Sequence, residues 1–291
     1  MPQLDKNHNR IPQWLKRNLA PADSARNVHK ALDKLQLNTV CQSALCPNRQ
    51  ECWASGTATF MILGDACTRN CRFCSVGHEG IRPPDPHEPE KLVEAVKSLG
   101  IKHVVITSVT RDDLEDDGAG HFARCLELLH ESQEGITLEV LVPDFNGRES
   151  LIKRVLDASP DIYSHNLETV ESLTPKIRSR ARYDLSLQVL KTAKRHKPDI
   201  YTKSGIMVGL GESFPEIEKA MDDLRAVSCD ILTIGQYLRP TLEQLPVVKY
   251  YNLDEFKIME QGALARGFKQ VVSTPLARSS YHAEKVFQHI V

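Results

Sequence analysis

Short apolar runs rich in β-branched residues recur at intervals of about 30 residues through the middle of this chain, and that spacing limits the fold more than any other feature. The runs are Thr57–Leu63, His103–Val109, Thr137–Val142, Asp161–His165, Tyr201–Val208 and Asp230–Tyr237. Between or after them lie stretches with helical spacing: Pro89–Leu99, Ala119–His130, Arg148–Ala158, Tyr183–Lys194, Phe214–Val227 and Asp254–Ala265. In the first, Leu92, Val93, Val96 and Leu99 form one stripe. Strands that are apolar on both faces and alternate with helices belong to βαβ units of a parallel sheet. Six units, followed by a short seventh strand at Gln270–Ser273, predict an α/β chain built on a partial (β/α)6 TIM-type barrel with N- and C-terminal extensions. An eight-fold barrel is disfavoured, because residues 57–250 hold only six clear units. The expected segments are 1–56, 57–252 and 253–291. Barrels of this kind do their chemistry at the C-terminal ends of the strands. Thr107, Ser108, Glu139, His165, Asn166, Gly209 to Glu212 and Gln236 are the polar residues expected there.

At 291 residues the chain can bury a core without disulfides. Lys plus Arg is 37 against 38 for Asp plus Glu, a formal net charge of -1, which offers no electrostatic case for nucleic acid or an anionic membrane. No apolar run approaches the roughly 18 residues of a membrane span. The first twenty residues lack the apolar centre of a secretory signal and read as the arm of a cytoplasmic protein.

Of eight cysteines, six fall between Cys41 and Cys74. Cys125 and Cys229 stand alone and read as small buried hydrophobes. Cys67-x3-Cys71-x2-Cys74 follows the run TATFMIL directly. Structural zinc and a fully ligated iron–sulfur cube each want four ligands, and only three thiols are local; His78 is the one nearby candidate for a fourth. A cube held by three cysteines keeps one iron open for a substrate. Cys41-x4-Cys46-x5-Cys52 is a second triad, with Pro47 and Asn48 imposing a turn. Taken alone it could equally be half of a zinc ribbon; beside the first triad it argues for a second iron–sulfur cluster.

The first triad, with the aromatic Phe73 before its last cysteine, resembles the signature of radical S-adenosylmethionine enzymes. The two triads in this order, together with the C-terminal segment Arg278-Ser279-Ser280-Tyr281, resemble the lipoyl synthase family. Further segments match along nearly the whole chain: TSVTRDDLEDDGAGHF (107–122), LVPDF (141–145), HNLETV (165–170) and GIMVGLGE (205–212). The family commonly reads Asp-Gly-Gly where this chain has Asp116-Asp117-Gly118.

The resemblance implies two 4Fe–4S clusters and S-adenosylmethionine as cofactors. It implies that Cys67, Cys71 and Cys74 hold the cluster that binds S-adenosylmethionine. Cys41, Cys46, Cys52 and a serine, Ser280 rather than Ser279, would hold an auxiliary cluster that gives up its sulfur. Without the family the two serines read as a helix N-cap. The implied reaction inserts sulfur at C6 and then C8 of a protein-bound octanoyl-lysine. Implied partners are octanoylated carrier domains (2-oxoacid dehydrogenase E2, glycine cleavage H protein), a one-electron reductant such as ferredoxin or flavodoxin, and an iron–sulfur carrier protein. Phe73, Thr107, Ser108, Glu139, Asn166, Gly209 and Leu210 are the implied contacts to S-adenosylmethionine, with Val109 ending the second strand and Arg111 on the adjoining loop. From composition alone, RDDLEDDG is a solvated turn, and GIMVGLGE is neither a P-loop nor a dinucleotide fingerprint. The competing readings are another two-cluster radical enzyme, a zinc-stabilised binding module and a simple electron-transfer protein.

Overall fold

The computed structural model describes residues 12–15, 25–54, 58–178, 180–281 and 283–288. Most of the N-terminal arm, and Thr57 at the start of the first expected strand, lie outside the described residues. In chain order the elements are α1 (Arg26–Leu35), β1 (Asn38–Thr39), α2 (Val40–Ser43), α3 (Arg49–Ala54), β2 (Thr59–Ile62), α4 (Glu88–Leu99), β3 (His103–Ser108), α5 (Ala119–Ser132), β4 (Thr137–Leu141), α6 (Glu149–Asp157), β5 (Ile162–Ser164), α7 (Thr174–Ile177), α8 (Tyr183–His196), β6 (Tyr201–Val208), α9 (Phe214–Ala226), β7 (Ile231–Gln236), α10 (Leu253–Ala265), β8 (Gln270–Ser273) and α11 (Ala283–Gln288).

The helices begin and end where local chemistry requires. Ser213 with Glu216 and Asn252 with Glu255 form capping boxes at the starts of α9 and α10, each satisfying two otherwise orphaned N–H groups. α4 starts at Glu88 with Pro89 in its first turn and stops at Gly100, whose φ of 64° closes the left-handed C-cap. All four residues of β2 are buried, as a strand covered on both faces must be.

The eight strands lie side by side in chain order, and every neighbouring pair from β2 to β8 is parallel. β1 adds one antiparallel ribbon to β2, with Asn38 opposite Met61. The sheet therefore runs into both expected extensions, and its ends, β1 and β8, do not pair with each other. It is an unclosed barrel. Two apolar layers cover its outside. One, around Leu92, Val96, Phe122 and Leu126, joins α4 to α6 to the first strands; the other, around Ile217, Met221, Leu224 and Met259, joins α9 and α10 to the last. Cys125 and Cys229 are both fully buried.

The open seam is closed by the chain end. Leu276 O accepts 2.7 Å from Asn48 Nδ2, and Thr59 Oγ1 donates to Ser280 Oγ at 2.7 Å. Tyr281 OH donates to Glu51 Oε1 at 2.9 Å. Room for this return comes from glycine in β7 and β6. A Cβ on Gly235 would lie 2.2 Å from Ala277 O, and one on Gly205 would lie 3.1 Å from Ser279 Oγ.

One expectation needs correcting here. Glu139 is not at a strand end but in the middle of β4, fully buried inside the barrel. Lys203 Nζ, from β6, reaches its two oxygens at 2.8 and 3.1 Å, His103 Nε2 lies 3.6 Å away, and Ser164 Oγ donates at 3.2 Å. Burial pushes its pKa up, but Lys203 and His103 more than offset this and hold it below its ordinary value. It forms a buried ion pair with Lys203 in the barrel interior.

Two outcomes follow from this packing. Gly235→Ala should cost about 1–3 kcal/mol, because the added methyl meets a backbone carbonyl that cannot rotate away; the shift of the urea midpoint of the apoprotein measures it. Lys203→Met should cost about 3–5 kcal/mol at neutral pH by stranding a buried carboxylate. In the parent protein, a depressed Glu139 stabilises above the ordinary carboxylate range and loses that contribution as pH falls through its folded value. In the variant, burial, the largest influence on Glu139, outweighs what His103 and Ser164 still supply, so its pKa rises, the sign reverses, and the deficit measured at pH about 8 should shrink at pH about 5.

Candidate metal centres

The first triad lies on the loop after β2, above the strand ends. The loop is pinned through its backbone: Cys67 N–H donates to Gly77 O at 2.7 Å, Thr68 N–H to Thr110 O at 3.0 Å, and Arg72 N–H to Ile177 O at 2.9 Å. Arg69 fastens it by side chain. Its guanidinium binds Asp112 at 2.7 and 2.9 Å and Asp144 at 2.6 and 2.8 Å, on the loops after β3 and β4. Burial acts against both acids, but Arg69 holds Asp112 down at about 2 and keeps Asp144 below the usual carboxylate range.

All three thiols are half-buried. Cys67 Sγ accepts N–H from Arg69 at 3.4 Å and from Thr110 at 3.3 Å, and Cys74 Sγ accepts from Val76 at 3.4 Å. Burial pushes the Cys71 thiol up and the Cys74 thiol up to about 12; Cys67 raises both further and Cys71 raises Cys74, while Arg178 acts against the rise at Cys71. Three close thiolates in a desolvated setting need a cationic centre to hold them deprotonated. Among the described residues no three His, Cys, Asp or Glu side chains gather on a point that would hold a single metal ion. A cube takes each thiolate on a different iron and needs no such gathering. No cysteine is in a disulfide. His78 is exposed and 3.5 Å from Asn70 Nδ2, and with Cys67, Ile81 and Arg180 it lines an open cavity of about 490 Å3.

The second triad sits on α2, the turn after it and α3. Cys46 N–H donates to Cys41 O at 3.1 Å and Cys52 N–H to Asn48 O at 3.0 Å, so the turn around Pro47 and Asn48 folds the segment on itself. Cys41 is buried; desolvation raises its pKa, and the Thr59 backbone beside the sulfur acts against it. Thr59 thus touches Cys41 with its backbone and Ser280 with its hydroxyl. Ser279 goes elsewhere: its Oγ accepts 2.8 Å from Asn166 Nδ2. The structure separates the two serines that the sequence leaves side by side.

The residues expected to meet S-adenosylmethionine behave differently from one another. Phe73 packs with Ile177, Met207, Leu210 and Tyr237 in a small apolar cluster beside the first triad. Thr107 donates its hydroxyl to Leu141 O at 2.9 Å. Ser108 Oγ, Asn166 Oδ1 and Arg178 Nε are buried with no hydrogen-bond partner among the described residues, a set of polar groups suited to a polar ligand. The N–H groups of Gly209 and Leu210 are taken by Glu212 at 2.5 and 2.9 Å, and the Leu210 side chain is buried in the same small apolar cluster as Phe73. Arg111 turns inward to Asp113 and Leu63 O.

Sequence reasoning missed Arg69, Thr59, Glu168 and Arg178, and read Asn48 as a turn residue without its bond to Leu276 O. Glu168 stands at φ 67°, costly for a residue with a side chain, and Arg178 donates to Leu167 O at 2.9 Å beside Cys71. The acidic run is also not a solvated turn. Asp112 holds Arg69 and Thr68, Asp116 accepts from Gly118 and Gly120 N–H, and Asp117 is buried against Arg148.

Residues 61–224 match the family model described as the radical SAM superfamily. The lipoyl synthase of Caldicellulosiruptor saccharolyticus is 51% identical over 94% of this chain and 96% of its own length. That of Shouchella clausii is 50% identical over 98% and 93%. Among solved structures, the [FeFe]-hydrogenase maturase HydG superposes with a TM-score of 0.58 over 92% of this chain and 71% of its own, at 14% identity. Methylornithine synthase (PylB) gives 0.53 over 91% and 82%, also at 14%; at such identity these two show the fold alone. The chain belongs to the lipoyl synthases, radical S-adenosylmethionine enzymes that carry two 4Fe–4S clusters and insert sulfur at C6 and C8 of a protein-bound octanoyl group.

Proposed function

We propose that Cys67, Cys71 and Cys74 hold the cluster that binds S-adenosylmethionine, and that Cys41, Cys46, Cys52 and Ser280 hold the auxiliary cluster. The observation that carries the second half is the 2.7 Å bond between Thr59 Oγ1 and Ser280 Oγ, made by the same threonine whose backbone meets the Cys41 sulfur. It brings an oxygen donor 221 positions away in sequence to a site with three thiols and no local fourth ligand. When bound, the first cluster and S-adenosylmethionine supply hydrogen-atom abstraction, and the auxiliary cluster supplies sulfur.

This chain's own residues orient and exclude water. Phe73, Ile177, Leu210 and Tyr237 wall the first triad with apolar surface. Ser108 Oγ, Asn166 Oδ1 and Arg178 Nε offer polar contacts to S-adenosylmethionine. Ser279 holds the return segment against Asn166 and Gly205, which leaves the Ser280 hydroxyl to Thr59, beside Cys41. The Ser280 hydroxyl accepts from Thr59, which favours the deprotonated oxygen that a metal requires. An alkoxide is a weaker ligand for iron than a thiolate, suiting a cluster that must come apart.

The organisation that goes with this reading is an N-terminal extension of residues 1–56 carrying the auxiliary cysteines, a barrel over 57–252, and a C-terminal extension of 253–291 carrying the serine. Its substrates are octanoylated lipoyl carrier domains, those of the 2-oxoacid dehydrogenase E2 and glycine cleavage H proteins. A ferredoxin or flavodoxin reduces it and an iron–sulfur carrier rebuilds the auxiliary cluster. The setting is cytoplasmic; among the described residues no helix is long and apolar enough to cross a membrane.

Ser280→Ala leaves three cysteines, as at the first triad, so the auxiliary cluster should lose at most the one iron that the serine held, about one of eight after anaerobic reconstitution. It should abolish sulfur insertion, read as the mass of an octanoyl-lysine peptide, and still release 5′-deoxyadenosine with dithionite. Ser279→Ala should keep its iron. An auxiliary-cluster Mössbauer spectrum unchanged in Ser280→Ala would remove Ser280 from the ligand set.

A further inference from the structure

Four cations ring the outer edge of the Cys67–Cys74 loop. Arg72 directly follows Cys71, is exposed, and reaches Lys176 O with Nη1 at 3.4 Å. Lys176 and Arg180 are exposed on the segment after α7 begins, and Arg180 Nη1 donates to Thr68 O at 3.1 Å. Arg239 donates Nε to Gln244 O at 2.8 Å and Nη2 to Leu242 O. The guanidinium bonds go to carbonyl oxygens, which fix the geometry without neutralising the charge. Among the described residues none of the four is in an ion pair with a carboxylate, whereas Arg69, in the same loop, is closed off by two. In a chain of formal net charge -1 the concentration is local.

The patch is joined to the cluster loop by backbone. Leu245 N–H donates to Arg72 O at 3.1 Å and Gln244 Nε2 to Cys74 O at 3.1 Å. The segment so attached projects Leu242, the most exposed large apolar side chain described, at 86% exposure, and Ile81 adds apolar surface beside Cys67. A flat cationic rim around a few apolar residues is the usual make-up of a transient electrostatic docking face.

We propose that this face, centred on Arg72, Lys176, Arg180 and Leu242, docks an acidic one-electron donor protein. The inference rests on the assignment of Cys67, Cys71 and Cys74 to the reducible cluster. A donor on Arg72 is one residue from the ligand Cys71. One electron passes from the donor's reduced flavin or iron–sulfur centre to the cluster, the donor is oxidised by one electron, and no bond or proton moves at the face. The cations raise the encounter rate with an acidic partner and leave the chemistry inside the barrel untouched.

The test compares two sources of electrons in the reconstituted holoenzyme, with 5′-deoxyadenosine and the Kd of oxidised flavodoxin for the protein, by calorimetric titration, as the readouts; a Kd unchanged in the double variant below would overturn the proposal. Dithionite needs no docking; reduced flavodoxin does. The double variant Arg72→Glu, Lys176→Glu should stay within about twofold of the parent with dithionite and fall about tenfold or more with flavodoxin, mainly through a raised KM for the donor. In the parent protein, raising salt from 50 to 300 mM should slow the flavodoxin reaction alone, since screening acts on exposed charges. Equal losses with both reductants, or an unchanged flavodoxin rate in the variant and in salt, would overturn the proposal. A raised KM for an octanoylated carrier domain with dithionite would also overturn it and give the face to the carrier. Absence of 5′-deoxyadenosine from the parent protein with dithionite would instead strike the cluster assignment itself.

Discussion

Three thiols on a loop define a metal site only if the loop is held, and here Arg69 holds it. Its guanidinium is clamped between Asp112 and Asp144, which lie on the loops after two different strands, and is 8% exposed. A pair this enclosed is worth little against an apolar replacement, yet losing one partner leaves a buried charge and costs several kcal/mol. The clamp therefore acts as a constraint on geometry more than as a source of stability. It sets the height of Cys67 over the sheet, and Cys67 in turn accepts the N–H groups of Arg69 and Thr110.

The second constraint is the unclosed sheet. A parallel barrel whose ends do not pair has an exposed edge, and native proteins cover such edges. This chain covers it with its own two ends. The Cys41–Cys52 triad enters through α2 and α3 beside β1, and the Ser279–Ser280 segment returns after β8, so covering the seam and bringing Ser280 to Thr59 are one act. The bare Cα atoms of Gly205 and Gly235 are what allow the return to lie so close.

The barrel was largely legible in the sequence because a buried parallel strand is a run of apolar residues with a helix-period stretch after it. β6 and β8 coincide with their expected runs, and the other parallel strands lie within the expected limits, trimmed by one or two residues at an end. β1 was not legible: two residues carry no period. α1 was overlooked although Val28, Leu32 and Leu35 form a buried stripe. Within the site, the cysteines announce themselves by spacing. Partners brought together by the fold do not. Glu139 meets Lys203 across 64 positions and Arg69 meets Asp144 across 75, and no local signal reports either. Asp112 looked like part of a solvated run because composition cannot tell a carboxylate facing water from one facing a guanidinium.

The meeting of Thr59 with Ser280 has a bearing on how the molecule is made. Thr59 opens the first parallel strand, and Ser280 arrives only after the last. During synthesis the barrel must be laid down and wound before these two hydroxyls can meet. The seam joint is thus a built-in check on completion: a chain halted or misfolded anywhere between them keeps its early cysteines but never assembles the closed edge around them.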